Sequence, residues 1–239
     1  MFPTHHFYSS FGVLEFVLNI VSSVANPNIR QLAIGAGWNT TSKVKVNITA
    51  PLINTINLPA GTSFPGGLEI VISANTRVGG TANGGSAFIT RIPVSIRNLG
   101  IMSGGGGGGG QGQTCIVYYN QNGVAAGYGG VGGLGEGFSS STSLSIVGPY
   151  SGDSGSYQQY SGPIYGGEKS PWAQGGPGGS GGSWGSSGSR GGYGSIGGSY
   201  GPSPPYFYDP TPGGAAGRYI DGNSYVTWLA NGTRHGLAA

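Results

Sequence analysis

Side chains that carry catalysis are scarce in this chain. Its 239 residues include one cysteine, three histidines and seven carboxylates, and only 7% of the chain is charged, against roughly a quarter in ordinary soluble domains. General acid–base pairs, nucleophile–base pairs and metal sites need several such groups converging in one pocket; here they are spread singly. Cys115 stands alone, which excludes an intrachain disulfide and a cysteine-based metal site, and it reads as a small buried side chain. His5 and His6 lie near one terminus and His235 near the other, where frayed or interface-bound segments are the rule. No catalytic residue, cofactor or metal site is expected. The net charge of +3 splits into +4 over residues 1–100 and −1 over residues 101–239, too weak and dispersed for a nucleic-acid partner. The apolar run at 11–25 lacks a basic start, contains Glu15 and Asn19 and is too short to cross a bilayer. It reads as a strand, and the chain as soluble.

What the chain has in excess is glycine, and the excess has a boundary. Of 53 glycines, 11 fall in residues 1–100 and 42 in residues 101–239, and the change is marked by seven consecutive glycines at 104–110. A glycine run has no side chain to bury and gives up the most backbone entropy on folding. It is therefore either a flexible linker or a set of extended three-fold helices packed backbone to backbone, as in collagen. The spacing is not a strict triplet, which excludes collagen itself.

Before the boundary the pattern is that of strands. Leu14, Phe16, Leu18 and Ile20 alternate with Glu15 and Asn19; Val44, Val46 and Ile48 alternate with Lys43, Lys45, Asn47 and Thr49; Leu68, Ile70 and Ile72 alternate, as do Ile92, Val94 and Ile96. Leu52, Ile56 and Leu58 hint at one more. Pro93 cannot donate to a ladder, so its strand is expected at an edge or with a bulge. One short helix is expected where Ile29, Leu32, Ala33 and Ala36 follow Asn28 as cap, with Gly35 or Gly37 ending it. The expected fold is mainly β: a small β-sandwich-like N-terminal domain with one helix over residues 1–101, then over 102–239 a glycine-rich domain with polyglycine II-like segments and irregular loops. Strands are expected at residues 114–119 and 143–147, and Asn231-Gly232 signals a closing hairpin.

Tyrosine, serine, glycine and occasional tryptophan fill the loops of the second half, a composition that binds surfaces. Tyrosine and tryptophan give wide amphipathic contact at low entropy cost while serine and glycine adapt. The candidate contact residues are Tyr150, Tyr157, Tyr160, Tyr165, Trp172, Trp184, Tyr193, Tyr200, Tyr206 and Tyr208. The competing use of the same aromatics is to stack over glycine backbones as a thin core. A G-x-G-x-x-G match at 127–132 has no helix pattern after it and is rejected. The sequons at Asn39, Asn47 and Asn231 read more simply as turns and polar strand faces.

Three stretches resemble glycine-rich host-recognition proteins of tailed bacteriophages, the receptor-binding adhesins of tail tips and fibres. They are the helix running into Ala36-Gly37-Trp38, Ile101-Met102-Ser103-Gly104 at the head of the glycine tract, and a close made of Gly222-Asn223-Ser224, Val226-Thr227-Trp228 and Gly232-Thr233-Arg234. The resemblance implies a non-enzymatic protein in the virion, at a tail tip or tail fibre. Its partners would be further copies of itself as a homotrimer, other phage tail proteins, and a bacterial cell-surface receptor such as a pilus, outer-membrane protein or polysaccharide. Residues 1–101 would attach and residues 113–212 would contact the host. A structural virion protein using the same loops between subunits is the alternative; a silk-like or cell-wall protein would leave the first half unexplained.

Overall fold

The computed structural model describes residues 14–119, 123–162, 164, 168–198 and 204–239. Its first part is a coil of short parallel strands that turns through three sides before starting again. The first rung is β1 (Glu15–Ile20), β2 (Val24–Ala25) and α1 (Ile29–Gly35). The second is β3 (Lys43–Ile48), β4 (Leu52–Asn54) and β5 (Ile56–Leu58), and the third is β6 (Leu68–Ile72), β7 (Arg77–Gly79) and β8 (Phe88–Thr90). The fourth opens with β9 (Val94–Asn98) and β10 (Ile101–Ser103). Equivalent sides stack in parallel register, as Val44 lies opposite both Phe16 and Leu68.

This is a β-solenoid, which corrects the sandwich expectation. A sandwich is joined by antiparallel turns; here each strand meets its neighbour only after a full circuit, so the pairing is parallel. The alternating residues point inward as expected: Val44, Val46, Ile48, Ile70, Ile72 and Ile96 are fully buried. Polar residues shape the corners. Thr76 donates from Oγ1 to the Ile48 carbonyl at 3.1 Å, and Asn98 Oδ1 accepts from the Gly100 N–H at 3.1 Å. The helix forms where the sequence placed it, with Asn28 accepting from the Gln31 N–H at 3.0 Å and Ile29 and Ala33 buried. Pro93 lies just outside its strand, which begins at Val94; β9 sits between two neighbours rather than at an edge, and its pairing with β20 carries a register shift between Trp228 and Ala230.

After β10 the chain leaves the solenoid and six glycine-rich tracts run out and back, at residues 104–112, 128–136, 149–156, 174–183, 185–194 and 209–217. They are extended and joined by backbone hydrogen bonds at every third residue. The first tract donates to the second from Gly106 to Glu136, Gly109 to Gly133 and Gly112 to Gly130, at 2.7, 2.7 and 2.9 Å. The second donates to the fourth from Gly130, Gly133 and Glu136 to Gly176, Gly179 and Gly182, each at 2.8 Å. The fourth closes the circuit on the first, from Gly179 to Gly110 at 2.7 Å and from Gly182 to Gly107 at 2.8 Å. The third, fifth and sixth tracts join at the same spacing, through Asp153 to Val131, Gly110 to Ser189 and Gly214 to Gly108. Glycine is required by the closeness of these backbones: a Cβ built on Gly109 would collide with the Gly179 carbonyl, and one on Gly133 with that of Tyr150.

The excursions between tracts carry the remaining strands. Away from the solenoid lie β11 (Thr114–Tyr119) and β12 (Gly123–Gly127); beside it lie β13 (Gly137–Phe138) and β14 (Ile146–Val147). Away from it again lie β15 (Tyr157–Gln159), β16 (Trp172–Gln174), β17 (Ser195–Gly197) and β18 (Tyr206–Tyr208). The last tract delivers the chain to β19 (Arg218–Ile220), which completes the fourth rung beside β8 through Ala87 N–H to Arg218 and Asp221 N–H to Phe88. A fifth rung follows: β20 (Val226–Ala230), β21 (Thr233–His235) and β22 (Leu237–Ala238), parallel to β9, β10 and β19. The expected terminal hairpin is thereby corrected. Asn231-Gly232 turns a corner of the solenoid, and β20 and β21 pair with earlier rungs instead of each other.

Candidate functional site

The glycine lattice has two ends, and its hydrogen bonds say which is which. The end beside the solenoid is keyed into one corner of it. Asn54 Nδ2 donates to the Ser140 and Ser143 carbonyls at 2.7 and 2.6 Å, and Ala82 N–H donates to Phe138 at 2.9 Å. Trp184, in the turn between the fourth and fifth tracts, packs edge-on against Phe138 at 5.8 Å, with the Arg77 guanidinium 5.1 Å from its ring. Gly79 makes room for both aromatics, since a Cβ there would stand 2.8 Å from each.

At the far end the three outward excursions meet in a small tip of two three-stranded sheets, ordered β12-β11-β18 and β15-β16-β17. Between them Cys115, Val117, Ala125 and Ala173 form a second apolar core, with Tyr160 and Ile196 packed against it. Burial pushes the Cys115 thiol pKa up, so the thiol is a neutral packing group. Gln113 joins lattice to tip: its side-chain oxygen accepts from the Gly194 N–H at 3.0 Å. The expected strand at 114–119 forms as β11 and places Cys115, Val117 and Tyr119 inward.

The tip's outer surface is aromatic and almost uncharged. Tyr157, Tyr193, Tyr206 and Tyr208 are exposed, and Trp172 is half-buried beneath Tyr157 at 5.9 Å. Tyr206 meets Tyr118 edge-on at 5.8 Å, and Tyr193 lies under the Arg190 guanidinium at 5.4 Å. Glu168 and Lys169 are the charged side chains among the described residues of the three excursions, and Asp209 follows the last of them at the head of the sixth tract.

The other candidates separate from these. Tyr160 is half-buried against Tyr119 at 5.4 Å and helps to build the tip core. Trp184 is buried in the joint with the solenoid, and Tyr150 is exposed on the lattice flank nearer the solenoid, where its N–H donates to Leu134. Tyr165, Tyr200, His5 and His6 lie outside the described residues. The candidate set omitted Tyr128 and Phe207, both exposed at the tip. The Tyr206-Phe207-Tyr208 run carried the signal for Phe207: in a strand bordered by Pro205 and Pro210, all three aromatics stand at an edge. An open cleft of about 550 Å³ beside α1, lined by Asn28, Arg30, Asn57 and the 59–63 turn, lies on the solenoid away from the tip.

The solenoid forms a base, and the lattice holds three excursions together at its far end, where they present an aromatic, sparsely charged surface. The chain belongs to the phage tail fibre adhesin Gp38 family, whose sequence model matches residues 15–239. It is a receptor-binding adhesin of the phage tail fibre. Its fold is similar to the crystal structure of the gp37-gp38 adhesin tip complex of the bacteriophage S16 long tail fiber, with a TM-score of 0.52, 19% identity, and coverage of 95% of this chain and 83% of that one. A comparison with curated proteins finds no match.

Proposed function

We propose that the two-sheet tip is the host-contacting surface, that the solenoid mounts the chain on the tail fibre, and that the six tracts form a polyglycine II spacer between them. The adhesin acts by binding, with no chemical step. The observation that carries this reading is the convergence of all three outward excursions on one surface bearing Tyr128, Tyr157, Tyr193, Tyr206, Phe207 and Tyr208. Residues 1–101 and 218–239 together are the mounting unit, because the returning strands β20 and β21 join the sheets of β9 and β10. The similar structure is a complex of gp38 with gp37, which supports a fibre protein as the mounting partner. The lattice hydrogen bonds close within a single chain, so a homotrimer is not needed to satisfy the glycine backbones; its contribution would be avidity toward a repeated cell-surface receptor.

The test is adsorption competition by the purified chain, with its oligomeric state measured by light scattering. Wild-type protein is expected to block phage adsorption saturably. Alanine at Tyr157, Tyr193 and Tyr206 together should abolish blocking, and Tyr150→Ala, on the flank, should leave it intact. Loss of blocking with Tyr150→Ala and retention by the triple variant would move the contact surface off the tip.

A further inference from the structure

The two sheets of the tip are offset, and the offset leaves one strand uncovered. β12 packs over β15 and β16, and β11 packs over β16 and β17. β18 lies one position further along its sheet, paired to β11 on one side and to no described strand on the other. Phe207 is opposite Cys115 in the antiparallel register, and directly opposed residues share a face. Phe207 therefore points to the side of the tip's apolar core. Cys115 is fully buried there while Phe207 is 47% exposed, because the second sheet stops short of it. On the other face Tyr206 and Tyr208 are also exposed, at 54% and 63%.

We infer that the free edge of β18 is a strand-addition site, which takes an extended polypeptide segment of the host receptor alongside β18 and over Phe207. This rests on the tip being the host-contacting surface. Two features select a polypeptide occupant. An unpaired strand edge presents alternating N–H and C=O groups at the spacing of another main chain, and exposed edges of this kind are ordinarily blunted by charge, bulges or cover. The edge residues Tyr206, Phe207 and Tyr208 carry no charge, and they offer apolar rings to both faces, so the alternate side chains of an added strand would meet Tyr206 and Tyr208 on one side and Phe207 on the other. A glycan would find no face-to-face aromatic platform on the Phe207 side, and the cation nearby, Arg190, is held by the Pro210 carbonyl at 3.2 Å and the Tyr193 ring at 5.4 Å. Pro205 and Pro210 bracket the strand, limiting the edge to a few residues. That length suits a short receptor segment and opposes open-ended self-association.

The probe is the intact permissive host cell, in three forms: untreated, oxidised with periodate to destroy sugar diols, and shaved with proteinase K. The inference expects wild-type chain to bind untreated and periodate-treated cells alike and to lose binding to shaved cells. Phe207→Lys, which places a charge on the uncovered face of the edge, should weaken binding by about 30-fold or more, the size of an interface hot spot, with the melting temperature unchanged. Tyr208→Phe should bind like wild type, since the added strand uses the ring and the backbone rather than the hydroxyl. Loss of binding to periodate-treated cells, or normal binding by Phe207→Lys, overturns the strand-addition site. So does a dimer of the wild-type chain that Phe207→Lys splits, which would make the occupant a second copy. If Phe207→Lys binds normally while the triple tip variant does not, the tip reading stands and this inference alone falls.

Discussion

The solenoid and the glycine lattice both have dense interiors, and they reach them by opposite means. In the solenoid, inward side chains such as Val46, Ile70 and Ile72 fill the space between three walls, and the backbone forms the walls. In the lattice nothing fills the space, because the walls themselves touch. The first is stabilised by apolar area and tolerates side chains of similar volume. The second is stabilised by hydrogen bonds at every third residue and has no tolerance for a methyl group at its centre. Substitution separates the two. Gly109→Ala should cost about 3 kcal/mol, the upper range for overpacking, because its Cβ would collide with the Gly179 carbonyl. Gly214→Ala, whose Cβ would have the Gly108 nitrogen as its nearest neighbour at 3.2 Å, should stay within about 1 kcal/mol. In the solenoid Ile70→Val should cost about 1 kcal/mol. Urea unfolding of the three variants checks the order; a Gly109→Ala protein as stable as Ile70→Val would break the contrast.

A sharper version sets two aromatics of the second half against each other. Trp184 is buried in the joint with the solenoid and Tyr193 is exposed at the tip. Trp184→Ala should therefore lower stability by about 3 kcal/mol and leave the cell affinity of the folded fraction unchanged. Tyr193→Ala should leave the melting temperature unchanged and weaken cell binding. Thermal melts and cell-binding isotherms of the two variants distinguish the roles, and an exchange of the two outcomes would reverse them.

These two residues also mark how far the sequence can be read. Both were candidates because tryptophan and tyrosine suit contact surfaces, and residue type does not tell a joint from a tip. The strands at Val44–Ile48 and Leu68–Ile72 were legible from alternation, and the helix from Asn28 and its apolar spacing. Their arrangement was not, since a solenoid wall and a sandwich wall both bury every second residue. The available signal was the spacing of the first wall: its strands start at Glu15, Lys43, Leu68 and Val94, separated by 28, 25 and 26 residues, a repeat of solenoid length. The tracts were visible as composition. Their partners were not, because bonds such as Gly179 to Gly110 join residues far apart through backbone alone and leave no side-chain pattern.

The same contrast extends to pH, with a smaller effect. On the outer wall of the solenoid the Lys43 ammonium lies 2.7 Å from the Glu69 carboxylate and 2.9 Å from that of Glu15. The hydrogen bond to Glu69 is the main reason the Lys43 pKa is raised, with Glu15 adding to it. For Glu69, burial works to raise the pKa, but the hydrogen bond and charge of Lys43, with Lys45 and Arg97 nearby, outweigh it and hold the carboxyl below its usual range. A carboxylate lowered on folding adds stability above its unfolded pKa of about 4.3, and that stability is lost as pH falls through the lowered value. The raised lysine adds stability below about 10.4, lost as pH rises through its folded value. Stability from this cluster is thus flat near neutrality and falls at both limits. With Lys43 and Glu15 each about one-third exposed and only Glu69 largely covered, solvent screening keeps the contribution on the order of 0.5 kcal/mol. Glu69→Gln should accordingly lower stability slightly at pH 7 and flatten its decline between pH 5 and pH 3, as read from urea unfolding across that range. The lattice hydrogen bonds run between backbone groups that do not titrate, so the Gly109→Ala penalty should be the same at pH 7 and pH 3. A penalty that changed with pH would mean that the tracts depend on ionised side chains after all.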